Sequence, residues 1–184
     1  EYKAGTLELV YYKYLRDMEL TYEEIYELFR GQKKGFMVGG GETPDNDEWV
    51  KNKELQLTIH DSKFYNLQDR LPRLRGGSAH VYNVHVDNKN ILAVQNKIRA
   101  KENYQAIVDG IKERNWKLAF TNQSMVTTNG GAIQYQNSIF DGVREIIKSN
   151  NKNKDDIRFT GKYEVLDSIY RIDGVIDFRG NSFD

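Results

Sequence analysis

Apolar and polar residues alternate along several short stretches of the chain, and these stretches resemble one another. "TIHDSKFYNL" (58–67), "QYQNSIFDGV" (134–143) and "VLDSIYRID" (165–173) share Asp/Asn-Ser-x-Phe/Tyr, at Asp61-Ser62-Lys63-Phe64, Asn137-Ser138-Ile139-Phe140 and Asp167-Ser168-Ile169-Tyr170. In "AHVYNVHVD" (79–87), Val81, Asn83 and His85 are candidates for similar parts. Period-two alternation rich in β-branched and aromatic residues predicts strands. Ile59 and Val81 are 22 positions apart, about one coil of a parallel β-solenoid, in which each coil covers the last and edges remain only at the ends. The alternative is a β-sandwich of unrelated strands.

Three stretches leave that pattern. "LTYEEIYELFRG" (20–31) has Thr21 and Glu24 in capping-box spacing, apolar Ile25, Leu28 and Phe29, and Gly31 as a stop, which predicts a helix. Within 90–120 a helix is predicted over roughly 101–114, with Ile107, Val108 and Ile111 on one side, as an insertion between coils. "KSNNKNKDDIRF" (148–159) reads as a solvated charged loop. "GGGETPDNDEW" (39–49) is Gly-rich and acidic, and without a following Lys-Ser/Thr pair it is not a phosphate cradle.

Composition narrows the classes further. The chain has 184 residues, 27 Lys+Arg against 27 Asp+Glu, and no cysteine. This length suits one domain, read as 1–184, with a substantial core. Balanced charge gives no overall basic field to draw the protein to nucleic acid or an anionic membrane, so any anion site is local. A disulfide scaffold and a thiolate metal site are excluded. No apolar run approaches the ~20 residues of a membrane span. The opening EYKAGTLELV lacks the order of an export signal, so a soluble chain already freed of any such signal is expected.

Against that neutral background, "QDRLPRLRGG" (68–77) gathers Arg70, Arg73 and Arg75 around Pro72. Arg70 follows one predicted strand and Arg75 precedes the next, so both are expected in a turn between coils, stiffened by the fixed φ of proline. A guanidinium is a planar, permanently charged fork that matches a carboxylate with two hydrogen bonds. Several on a rigid turn suit a uronate or another carboxylate ligand. The simpler reading pairs them with acidic neighbours such as Asp69 on the surface.

Arg70-Leu71-Pro72-Arg73-Leu74-Arg75 followed by "GGSAHVYNVHV" resembles the Arg-x-Pro-x-x-Arg turn and succeeding strand of the family 1 pectate lyases, which are right-handed parallel β-helix enzymes. "LTIHDSKFYNLQD" (57–69) is similar to their preceding strand, with His60-Asp61-Ser62 in place of His-His-Asn. In "KKGFMVGG" (33–40), Lys34 and Gly39 fall on a Lys-x-x-x-x-Gly segment, and "GAIQYQNSIFDGV" looks like a later coil. The match runs from about 31 to 88 and more loosely to about 170.

The resemblance implies an all-β, right-handed parallel β-helix with a helical insertion. The coils that usually precede it are missing, which implies a piece of a longer polypeptide or an end covered by another subunit. It also implies a secreted lyase that cleaves α-1,4-polygalacturonate in pectin by β-elimination, with a base removing the C5 proton beside the C6 carboxylate. By carry-over, Arg70 is the base, Lys34 and Arg75 bind uronate carboxylates with Arg73 beside them, and calcium bridges substrate and enzyme. Free arginine titrates above ~12, so this role calls for neighbouring positive charge, which Lys34, Arg73 and Arg75 could supply. The family's calcium pair, Asp/Glu-x-x-x-Asp, has Ala4 and Glu8 as its nearest counterpart, leaving Glu8 as the metal candidate with Asp45 and Asp47 as further acids. Calcium takes roughly six to eight oxygens, more than Glu8 provides. The alternatives are a calcium-independent pectin lyase acting on methylated substrate, and a non-catalytic pectin-binding β-helix fragment.

Other chemistry is thinner. His60, His80 and His85 lack compact metal spacing, and simple alternation puts His80 and Asn83 on opposite faces. Asp45, Asp47 and Glu48 have nothing to pair them for glycoside hydrolysis. Tyr82, Tyr135, Tyr163 and Trp116 are expected in the core rather than against sugar.

Overall fold

The computed structural model describes residues 16–21, 24, 34–40, 52–113, 120–148, 161–172 and 175–182. The chain divides into two compact units, residues 1–31 with 90–121 and residues 32–89 with 122–184.

The second unit is a parallel β-helix. Its first sheet runs in the order β1 (Met37–Val38), β3 (Arg73–Arg75), β5 (Gln123–Thr128) and β8 (Glu145–Lys148). Its second sheet contains β2 (Gln56–Tyr65), β4 (Ser78–Asp87), β6 (Gly131–Gln136), β9 (Gly161–Ile172) and β10 (Val175–Ser182), and β7 (Ile139–Asp141) pairs with β4 and β9. Pairing among these strands is parallel except between β9 and β10, where the chain turns back on itself. Parallel pairing of successive look-alike strands excludes the sandwich.

The coils stack in the register that the repeat predicts: Ile59 pairs with Val81, Val81 with Tyr135, and Tyr135 with Val165. The repeated Asp/Asn is where each strand bends. Asp61, Asn83, Asn137 and Asp167 have φ of 48°, 52°, 46° and 46°, in the left-handed region that Asn and Asp enter more readily than other L residues. One such residue shifts the alternation by one place. Val81 and Val84 are therefore both buried, while His80 and Tyr82 are half-buried and Asn83 is exposed. The expected opposition of His80 and Asn83 is wrong for this reason: both lie on the outer side. The bends also join the coils. Asn83 Nδ2 donates to Asp61 Oδ1 (3.0 Å), and Asn137 Nδ2 donates to Asn83 Oδ1 (2.6 Å). The serines that follow cap backbone donors: Ser138 Oγ accepts from Val84 N (3.2 Å) and Ser168 Oγ from Ser138 N (3.1 Å).

Inside, Val86, Phe140 and Tyr170 stack at equivalent positions of successive coils, with Tyr135 and Phe140 edge to face at 5.1 Å. Tyr135 is a core residue as expected. Tyr82 is not, because it alternates with buried Val81 and so faces outward, where it stacks on His60 at 5.1 Å. Tyr163 is half-buried, and Trp116 lies outside the described residues.

Between β4 and β5 the described residues form two helices, α1 (Lys89–Arg99) and α2 (Tyr104–Glu113); α2 is the helix expected over roughly 101–114, and α1 is additional to it. The inward positions of α1 are Ile91, Leu92, Gln95 and Ile98. Gln95 interrupts the apolar period, which hides the helix from a count of hydrophobic spacing; its amide donates to Thr121 O (3.2 Å). The capping box predicted for 20–31 is present: Thr21 N donates to Glu24 Oε2 (3.1 Å) and Glu24 N to Thr21 Oγ1 (3.2 Å).

Candidate functional site at the arginine turn

The arginine-rich stretch is fastened by the coils on both sides. Gly35 N donates to Asp69 O (2.8 Å), Phe36 N to Arg70 O (2.7 Å) and Arg73 N to Phe36 O (2.8 Å). From the following coil, Ser124 O accepts from Leu71 N (2.8 Å) and Val126 N donates to Pro72 O (3.0 Å). The Tyr135 hydroxyl reaches Leu71 O from the core. Leu71 and Leu74 are buried beneath the turn. Between these anchors Arg70 is held at φ 68°, and the Leu71–Pro72 peptide is cis. The left-handed conformation costs an L residue about 1–2 kcal/mol, and the surrounding backbone bonds impose it. Glycine is required next door, since a Cβ on Gly35 would overlap the carbonyl of Arg70.

This register collects the predicted basic residues. An isolated parallel bridge sets Lys34 beside Asp69, one residue from Arg70. Arg73–Arg75 is strand β3 rather than part of the turn expected there, because Arg73 pairs with Met37 on one side and Val126 on the other. Leu74 is buried, so alternation places Arg73 and Arg75 together on the opposite face of β3. Arg75 is nonetheless almost wholly covered.

Asp69 does lie next to Arg70, but not on the surface. It is buried; its Oδ1 accepts from Gln123 Nε2 (2.6 Å), and its Oδ2 lies 3.7 Å from Arg70 Nε. Gln123 has no signal in the sequence, since it sits beyond the helical insertion and only the coil register returns it to Asp69. Glu8, Asp45, Asp47 and Glu48 lie outside the described residues. Among the described residues no group of three or more His, Asp or Glu side chains is placed to hold a metal ion. The histidines are separately engaged: His60 Nδ1 with Asp61 (2.8 Å), His80 with Gln136 (3.2 Å) and His85 with Asp141 (2.7 Å). His80 is thus a strand residue of the second sheet.

A family model for pectate lyases matches residues 21–160. The chain belongs to the pectate lyase family. A member from Paenibacillus amylolyticus, pectate lyase B, is 29% identical over 146 residues, which cover 78% of this chain and 35% of that protein. The solved pectate lyase pelN from Paenibacillus sp. 0602 superposes with a TM-score of 0.77 at 32% identity, covering 97% of this chain and 38% of that one. The chain therefore spans a little over a third of the length of these pectate lyases.

Proposed function

We propose that the arginine turn is the catalytic edge of a lyase that cleaves polygalacturonate, outside the cell, by β-elimination. The observation that carries this reading is the immobilised Arg70, held left-handed by both neighbouring coils, with Lys34 set beside Asp69 by register and Arg73 and Arg75 in the strand that follows. Arg70 takes the proton from C5 of a galacturonate unit. The electron pair of that C–H bond forms the C4–C5 double bond, the C4–O bond breaks, and the departing oxygen is protonated. One product carries a 4,5-unsaturated uronate at its new end; no water is added. A C5 proton is acidic enough only when positive charge neutralises the adjacent carboxylate, which is electrostatic stabilisation of the developing carbanion. Lys34 and Arg75 supply that charge, with Arg73 alongside.

The described residues do not by themselves form a calcium cage, and Glu8, the acid pointed to by the family pattern, is not among them. Ultraviolet absorbance of the conjugated product is followed on polygalacturonate and on highly methylated pectin, each with calcium or chelator. A signal on polygalacturonate that chelator removes supports a calcium-dependent pectate lyase. A chelator-resistant signal on methylated pectin supports a pectin lyase. Binding with no signal on either polymer overturns the lyase reading in favour of a pectin-binding fragment.

A further inference from the structure

Gln123, the first residue of β5, grips two consecutive residues of the preceding coil. Its backbone N donates to Gln68 O (2.9 Å), and its side-chain amide donates to Asp69 Oδ1 (2.6 Å). Both Gln123 and Asp69 are buried, at 6% and 8% exposure. Asp69 Oδ2 is left facing Arg70 Nε at 3.7 Å, and that Nε is itself buried with no hydrogen bond among the described residues.

We infer that Gln123 and Asp69 form a latch that sets the direction of the Arg70 guanidinium; its catalytic meaning rests on the reading of Arg70 as the base. A carboxylate with both oxygens available takes a guanidinium through two parallel hydrogen bonds. The hydrogen bond from Gln123 fixes the orientation of the Asp69 carboxylate and turns Oδ2 toward Nε from inside the turn, at 3.7 Å rather than in a close two-bonded pair. With Nε drawn inward, the Nη–Nη edge at the tip of the guanidinium is the part left to meet a substrate proton. Asp69 and Gln123 are positioning residues in this scheme, not catalytic ones.

The test combines turnover with the Nε–Hε resonance of Arg70, assigned by its disappearance in Arg70→Lys. In Gln123→Leu the freed carboxylate captures Arg70. The resonance then shifts and kcat falls by about 10- to 100-fold, the scale of a misplaced reacting group, with KM within about twofold. Adding Asp69→Asn removes the capturing carboxylate, and the double variant recovers part of the lost kcat. A merely structural role predicts the reverse, with the second substitution deepening the loss. An unmoved resonance in Gln123→Leu, or losses that add in the double variant, overturns the latch. If Gln123→Leu does not fold, Gln123→Asn, one methylene too short to reach Asp69, replaces it. If the unmodified chain forms no unsaturated product, the lyase reading fails, and the resonance alone decides whether the latch exists.

Discussion

On the outer side of the second sheet, polar groups presented by one coil are met by the next: Asn83 by Asp61 and Asn137, His80 by Gln136, and Gln134 by Glu164. Around the arginine turn the same β-helix leaves Arg70 Nε and both amide atoms of Gln68 buried without a hydrogen bond among the described residues. Native proteins keep few such groups, because each costs about 1–3 kcal/mol. Repetition explains the first region. A group placed at the same point of every coil finds its partner one coil away, and stability accumulates without further specification. The turn interrupts the repeat, so its polar groups have no equivalent one coil away among the described residues to meet them.

The largest effect that separates the two regions is expected at Arg70. Arg70→Ala lowers kcat by about 10²- to 10⁴-fold, the contribution of a positioned general base, while the melting temperature stays within a few degrees of the unsubstituted chain. A fall in both together would make Arg70 a structural residue and erase the contrast. Phe140→Ala in the repeat has the opposite profile. It empties a fully buried aromatic position and costs about 3–5 kcal/mol, read as a shifted urea midpoint, with turnover of the remaining folded protein unchanged.

Asp141 sharpens the comparison through pH. Burial works against its charge, but hydrogen bonds from Arg171 and His85 outweigh burial and hold the carboxyl below its ordinary value. A carboxylate lowered by folding adds stability that is complete above its unfolded value, near ~3.9, and is lost as pH falls through the folded one. The urea midpoint of the protein should therefore drop below about pH 4, and Asp141→Asn should flatten that part of the profile. An equally steep profile in the variant would assign acid sensitivity elsewhere. At the turn the ion pair is looser: Asp69 Oδ2 stands 3.7 Å from Arg70 Nε, and Asp69 Oδ1 is engaged by Gln123.

The same division governs how much could be read from the sequence. The coils were legible because each look-alike stretch repeats a local requirement, with an Asx residue at the bend, serine after it and an apolar residue two further on. The family motif likewise carried Lys34, Arg70, Arg73 and Arg75 to one place. Contacts set only by the return of the chain were not legible. Gln123 meets Asp69 because β5 re-enters the stack after two helices, and no spacing along the chain encodes that meeting. Tyr82 faces outward simply because it alternates with buried Val81, which its aromatic type did not signal, while the left-handed φ of Asn83 is what puts that residue on the same side as His80. Gln95 concealed α1 by placing an amide where the apolar period called for a hydrocarbon.

The smallest predicted effect asks what the column of bends contributes. Asn83 is exposed and hydrogen-bonded to both neighbouring coils, so two explanations compete for its place: the side-chain bonds, or tolerance of the left-handed backbone. Asn83→Gly removes the bonds but keeps the conformation accessible, whereas Asn83→Ala removes the bonds and adds the left-handed cost of about 1–2 kcal/mol. If the backbone is what matters, alanine is less stable than glycine by about 1 kcal/mol in paired urea titrations, and glycine lies close to asparagine. Equal losses in the two variants would instead make the exposed side-chain ladder the source of cohesion. The repeat would then hold its coils together by polar bonds at the surface as well as by the stacked core.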